Sequence, residues 1–373
     1  MTPLEELTAL LRPAAGGLYL VSTGREEQLA LQRTLYGATT DAEVDERWRA
    51  ALARIATARA VVLGIPSDVG AGFLRGANQG PQAIRSAMLR ARGDLGAWMR
   101  DRGVVDAGDV FVVPQLLHDD MLSERQKAAS RAALYPQVEE PTRSALPVSP
   151  LSIAERALDL IFALNPRIKP LVLGGDHSCA WPVTAALSRA RGEGLGIVQS
   201  DAHTDLLSER LGIRYCFATW SFHASALLGG GGRMVQVGIR ATRHPRAHWE
   251  TTTGVVQHWA EACNADPDKT IEQIVSHLRS VGVRSIYFSN DIDGTDESFA
   301  DATGTPEPKG LSPEFLVALV RRLGREFDVI AGDVMEVAPA IQRTEGGAER
   351  TTALAARYVF ETLAAFEGGG ARS

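Results

Sequence analysis

Three short clusters of carboxylate and imidazole side chains each follow an apolar run: GGDHS at 174–178 after PLVL, DAHTD at 201–205 after LGIVQ, and NDID at 290–293 after SIYFS. In DAHTD, Asp201, His203 and Asp205 alternate with Ala202 and Thr204, so an extended chain turns the three to one side. Asp291 and Asp293 repeat that spacing. A single Asp-x-His-x-Asp reads equally well as a solvated loop. Three clusters at three strand ends say more, because open parallel sheets place their ligands at the carboxyl ends of the strands. The sum is two imidazoles, His177 and His203, and four carboxylates, Asp201, Asp205, Asp291 and Asp293.

Four carboxylates crowded on one rim raise one another's pKa and cannot all stay ionised without cations. Two divalent ions remove the conflict. An oxygen-rich set with imidazoles and no thiolate favours Mn²⁺, ahead of Ni²⁺, Co²⁺ or Zn²⁺. Such a pair, about 3.5–4 Å apart, lowers the pKa of a shared water and makes hydroxide available near neutral pH. Hydrolysis is the natural use.

The elements that position these clusters alternate along the chain. AVVLGI, VVDAGDV, PLVLGG, LGIVQS, RMVQVGI, SIYFSNDID and FDVIAGDVMEV read as strands, separated by amphipathic stretches such as IAERALDLIFAL and EFLVALVRRL. Strand and helix in this rhythm predict an α/β fold with a parallel sheet covered on both faces. Residues 1–58 read as a mostly helical N-terminal extension, 59–368 as one catalytic domain, and about 111–150 as a surface insertion without a clear period. GGGG at 229–232 lacks the context of a phosphate loop and is expected to be a turn. Asp106 and Asp109 of DAGDV are expected to be structural, and Glu297 and Glu307 to be loop residues near the site.

Composition narrows the function classes. The 373 residues are 45% hydrophobic and 23% charged, ordinary for a globular chain with a large core. A net charge of -6 argues against nucleic acid and anionic membranes as partners. No run approaches a membrane span, and the acidic N-terminus is unlike a secretion signal. Cys179, Cys216 and Cys263 have no paired spacing, which suits reduced thiols and a cytoplasmic setting.

The blocks GGDHS, DAHTD and SNDIDGTDESFADATGTPEPKGL (289–311) resemble the signatures of the arginase/agmatinase ureohydrolase family, as do GANQGPQAIR (76–85), DAGDV, VGIR (237–240) and GDVMEVAPA (332–340). The resemblance covers roughly residues 60 to 365. It implies a three-layer α/β/α fold with a mainly parallel sheet of about eight strands and a binuclear centre, usually of manganese. By the same resemblance Asp201 and Asp291 bridge the ions, His177 and Asp205 complete one site, and His203 and Asp293 the other. Hydroxide between the ions attacks the guanidinium carbon, and urea leaves with an amine. Glu336 matches the carboxylate that grips the guanidinium group, an apt partner for a charged donor fork. The family also implies a homo-oligomer, a trimer or hexamer.

The chain departs from the pattern around the site. Phe217 stands where agmatinase-like members carry the proton-transfer histidine of a His-Gly-Thr stretch; His223, six residues on, is the candidate replacement. Asp205 is the other candidate catalytic residue on that loop. Trp220 and Asn290 are expected to line a reshaped pocket with Phe217, and Lys309 interrupts a Gly-Gly pair. LLSERLG (206–212) offers little to hold an amino-acid head group. The expected substrate is therefore a small guanidino compound such as guanidine, guanidinobutyrate or agmatine. The competing readings are a non-catalytic member that binds metal or ligand, and a hydrolase of formimino or other amidine groups.

Overall fold

Among the described residues, nine strands form one sheet: β1 (Leu11–Arg12), β2 (Ala60–Ile65), β3 (Val104–Val110), β4 (Lys169–Gly174), β5 (Leu195–Ser200), β6 (Met234–Ile239), β7 (Val256–Trp259), β8 (Ser285–Asn290) and β9 (Asp328–Val334). The computed structural model describes residues 1–20 and 22–368. The spatial order is β1-β3-β2-β4-β9-β8-β5-β6-β7, and every pairing is parallel except β1 with β3. Residues of β2, β3, β5 and β6 are buried along their whole length. Continuous burial means that both faces are covered, as parallel sheets require.

The covering helices follow their sequence period. Pro150–Leu164 opens on a proline, which the first helical turn tolerates, and buries Leu151, Ala154, Leu158 and Ile161 on one stripe. Pro313–Glu326 is capped by Ser312, whose Oγ accepts from the Phe315 amide at 3.2 Å, and buries Leu316, Leu319, Val320 and Leu323. Gly347–Gly368 lies against Pro313–Glu326, β9 and the helix Gly80–Ala91. Among the described residues, no helix is long and apolar enough to cross a membrane.

The expected sheet is present with two additions. β7 is only four residues, VQHW, too short and too mixed in polarity to show a period. β1 comes from the N-terminal extension and adds an antiparallel edge, Leu11 opposite Val110. That extension holds helices Pro3–Leu10, Arg25–Tyr36 and Asp41–Ala53, and it buries Leu7, Leu10 and Trp48 in the common core. Trp48 Nε1 donates to the Ala107 carbonyl at 2.9 Å. Asp106 and Asp109 of β3 face Arg85, which donates to Asp106 at 2.8 and 2.9 Å and to Asp109 at 2.5 Å in a fully buried ion group. The 111–150 segment contains the α-helix Glu124–Leu134, which has a Ser123–Gln126 capping box and buries none of its residues, and two 3-10 turns, Asp119–Met121 and Thr142–Ala145. Residues 229–232 all have positive φ and make the expected turn.

The order of the sheet matters most for function. β4, β9, β8 and β5 are consecutive neighbours, and GGDHS, MEVAP, NDID and DAHTD follow them. Four parallel strands about 4.8 Å apart bring those four carboxyl ends within about 15 Å.

Candidate metal centre

The exits of β4, β5 and β8 are each shaped by an aspartate. After β4, Asp176 caps the short 3-10 turn His177–Cys179, accepting from the Ser178 amide at 2.8 Å. After β8, Asp291 caps the turn Ile292–Gly294 in the same way, accepting from the Asp293 amide at 2.9 Å. β5 stops at Ser200, so DAHTD is not the extended segment its alternation predicts. The chain bends instead: the His203 amide donates to Asp201 Oδ1 at 2.6 Å, the Ala202 amide donates to Asp293 Oδ1 at 3.1 Å, and Asp205 sits at φ 53° in the left-handed region. The bend turns the three side chains inward by a different route.

All six expected ligands converge. His177 Nδ1 lies 3.1 Å from Asp201 Oδ2, 3.2 Å from Asp205 Oδ2 and 3.1 Å from Asp291 Oδ2. His203 Nδ1 lies 3.1 Å from Asp293 Oδ2 and 3.6 Å from Asp201 Oδ1. Ligand atoms of His177, Asp201 and Asp205 fall within 4.8 Å of one another, as do those of Asp201, His203 and Asp293. Asp201 belongs to both groups.

The donor set fits divalent cations. Ser289 Oγ donates to Asp333 at 3.2 Å and so accepts from His177 Nε2 at 3.0 Å, which turns Nδ1 toward the carboxylates, as a lone pair for a bound ion or as an N–H without one. That Nδ1 is buried and has no hydrogen-bond partner. Electrostatics agree. Burial lowers the basicity of His177, but Asp201, Asp205 and Asp291 outweigh it and hold the ring protonated well beyond the usual range. Burial also opposes charge on His203, yet Asp293 and Asp201 push it up to about 12. Burial and Asp201 raise Asp205 to about 7, while burial, Asp293 and Asp201 raise Asp291. Without ions, protons balance the charge that divalent cations would balance.

Glu336 closes the site from β9. It is 8% exposed and held at φ 62° by two main-chain bonds, Glu336 N to Gly175 O at 2.8 Å and Met335 N to Asn290 O at 2.9 Å. Its Oε1 accepts from the His177 amide at 3.0 Å. Burial and nearby Asp176 raise its pKa well above the usual carboxylate range. The 301–311 loop lies alongside: Thr305 Oγ1 donates to Asp293 Oδ2 at 3.0 Å, Glu307 is 3.9 Å from His203 Nε2, and Lys309 adopts φ 60°, a conformation that favours glycine. Arg240 of VGIR ties this loop down, donating to the carbonyls of Asp293, Glu307 and Pro308 at 2.7–3.0 Å.

Three expected pocket or catalytic residues have other surroundings. His223 Nε2 meets the carbonyls of Ser208 and Arg214, both at 3.0 Å, and its ring packs edge-on against Trp181, Tyr215 and Phe222. In this arrangement it anchors the 208–215 loop. Trp220 is fully buried. Its Nε1 donates to Asp205 Oδ2 at 3.0 Å, and its ring lies 4.6 Å from that of His177. Asn290 is also fully buried, with neither atom of its side-chain amide hydrogen-bonded.

Phe217 alone among the altered residues is half-buried. It borders a cavity of about 440 Å³ lined also by Val69, Gly70, Leu117, Leu122 and Ile213, with the Arg210 guanidinium 4.9 Å above its ring. A larger cavity, about 670 Å³, lies beside Tyr36 and Met99 and is lined by none of the six clustered residues. Motif reading missed Ser289, Trp220 and Thr305 as supports of the ligands. Their signal is faint, one polar or aromatic residue each, and their partners emerge only from the fold.

Comparison with known proteins agrees with this geometry. The family model described as the arginase family matches residues 58–365. Arginase 1, mitochondrial, of Oryza sativa subsp. indica is 30% identical over 313 residues, 82% of this chain and 81% of that protein. Guanidinobutyrase of Pseudomonas aeruginosa is 29% identical over 317 residues, 83% and 86% of the two chains. The solved proclavaminate amidino hydrolase of Streptomyces clavuligerus superposes with a TM-score of 0.61 at 27% identity, covering 83% of this chain and 92% of that one. The chain belongs to the arginase family, hydrolases of linear amidine carbon–nitrogen bonds.

Proposed function

We propose that the protein hydrolyses a small guanidino compound to urea and an amine, or ammonia, at a centre of two divalent ions, Mn²⁺ or Ni²⁺. One observation carries this reading: the buried, unpartnered His177 Nδ1 ringed by three carboxylate oxygens at 3.1–3.2 Å, with His203 and Asp293 beside them. His177, Asp201 and Asp205 would hold one ion and Asp201, His203 and Asp293 the other, with Asp291 between them. Bound there, the ions supply a nucleophilic water that is deprotonated near neutral pH.

The chain's own residues do the rest. Glu336 Oε1 is occupied by the His177 amide, so Oε2 is the oxygen left to accept from the substrate's guanidinium. An arriving guanidinium would favour the ionised carboxylate against the burial and the Asp176 charge that raise its pKa, and the charge-assisted bond then forms in a dry site where it is strong. A proton must also reach the leaving nitrogen. Phe217 cannot carry it and His223 is engaged elsewhere, so Asp205, oriented by the Trp220 indole, is the carboxylate assigned to move it. Gly304 lies beside Glu336: a Cβ added there would come within 3.9 Å of Glu336 Oε2.

Urea release from guanidine, guanidinobutyrate, agmatine and arginine, with Mn²⁺ and with Ni²⁺, tests the proposal. Turnover of at least one small guanidino compound in preference to arginine supports it. Tight metal binding with no turnover of any compound would favour the non-catalytic reading, for which Phe217 is the specific argument. Formamide in place of urea, from a formimino substrate, would move the assignment to amidine hydrolysis.

A further inference from the structure

Three glutamines occupy one row across the sheet. Register pairs Gln199 of β5 with Gln236 of β6, and Gln236 with Gln257 of β7. All three are fully buried. A primary amide in a sheet interior is costly unless its donors and acceptors are used, and here they are used on one another. Trp259 Nε1 donates to Gln257 Oε1 at 3.0 Å, Gln257 Nε2 to Gln236 Oε1 at 2.8 Å, and Gln236 Nε2 to Gln199 Oε1 at 2.7 Å. Gln199 Nε2 then donates to Asp201 Oδ2 at 2.7 Å.

The direction of this chain is fixed at both ends. An indole N–H only donates, and the Asp201 carboxylate only accepts. A side contact locks the middle amide against reversal, because Gln236 Nε2 also donates to the Thr204 carbonyl at 2.6 Å, and Ser221 Oγ donates to Gln199 Oε1 at 2.8 Å in the same sense. Every amide therefore turns its N–H end toward Asp201, and successive bonds polarise one another in the same sense. The row continues on the other side, where Ser289 of β8, paired with Gln199, holds His177 Nε2. One polar stratum lies beneath ligands of both strands.

We propose that Gln199, Gln236 and Gln257 are positioning residues that set the rotation of the Asp201 carboxylate, the ligand common to both metal groups. This rests on the reading of the cluster as a divalent-metal centre. Asp201 Oδ1 is held by the His203 amide and Oδ2 by Gln199, so the carboxylate plane is determined from both sides before any ion binds. Pre-orientation of this kind is what partners of metal ligands contribute. The row extends the constraint to Trp259 on the edge strand.

The test is Mn²⁺ affinity and stoichiometry by equilibrium dialysis for the full-length wild type, Gln199→Met, Gln236→Met, Gln257→Met and Trp259→Phe, with the thermal midpoint of each metal-free protein. The expected result is a graded loss: about 10- to 100-fold for Gln199→Met, less for Gln236→Met, and least for the two outer variants. Affinity should follow position along the row and not the thermal midpoint, which a purely structural role would lower without that order. If Gln199→Met does not fold, the order of the other three carries the test. Wild-type affinity in folded Gln199→Met and Gln236→Met, or losses that track only the thermal midpoint, would overturn the proposal. A wild type that binds no Mn²⁺ or Ni²⁺ would instead remove the metal reading on which it stands.

Discussion

Replacing Glu336 by glutamine separates substrate binding from metal binding. Shape is nearly unchanged, and the side-chain oxygen can still accept from the His177 amide at 3.0 Å. That contact fixes the orientation of the new amide, because only oxygen can accept there. Its NH₂ group is then turned toward the guanidinium, which has only donors to offer. The variant loses a buried charge pair and gains opposed donors. Removing one partner of a buried charged hydrogen bond costs about 2–5 kcal/mol, and each 1.4 kcal/mol is about tenfold, so kcat/KM should fall from about 30-fold to several thousand-fold. Urea release under pseudo-first-order conditions reads the loss, and metal analysis of the same sample should show unchanged content. Activity within about threefold of wild type would refute the assignment of Glu336. Loss of metal together with activity would show that it supports the ligands and not the substrate.

Trp220→Phe keeps a ring beside His177 but removes the donor to Asp205 Oδ2; a bond to a charged acceptor is worth about 1.5–3 kcal/mol, so affinity for one of the two ions should fall about 10- to 100-fold in dialysis. His223→Phe should leave the pH profile of kcat unchanged and lower the thermal midpoint, since the ring bonds loop carbonyls; loss of a pH limb would restore a proton-transfer role. Metal affinity should rise with pH. His177 and His203 have raised pKa values and are protonated in the metal-free protein, and Asp205, raised to about 7, adds a proton below that pH. Binding must expel these protons, so calorimetry in buffers of different ionisation enthalpy should show more protons released per ion at pH 6 than at pH 8.

Much of the site was legible because parallel topology converts sequence position into place. A carboxylate or imidazole just after an apolar run lies on the carboxyl rim, and no further information is needed to bring His177, Asp201 and Asp291 together. The exits themselves were less legible. Alternation in DAHTD implied an extended strand, while the structure bends the chain through a left-handed Asp205. The surroundings of Trp220, Asn290 and His223 were not legible for one reason: the rotation of the Trp220–Leu227 helix and the outward or inward turn of β8 residues are tertiary properties. Trp220 turns under the ligands, His223 away toward Tyr215. The glutamine row is the extreme case. Each residue is a single polar position in an apolar strand, and only the alignment of three strands far apart in sequence shows that they form one unit.

The most direct measurement is the number of divalent ions bound per chain. Metal-free protein titrated with Mn²⁺ and, separately, Ni²⁺ should bind two ions of at least one metal. Asp201→Asn, which alters the ligand shared by both groups, should weaken both ions. Binding of none, or of a single ion that Asp201→Asn leaves untouched, would contradict the account.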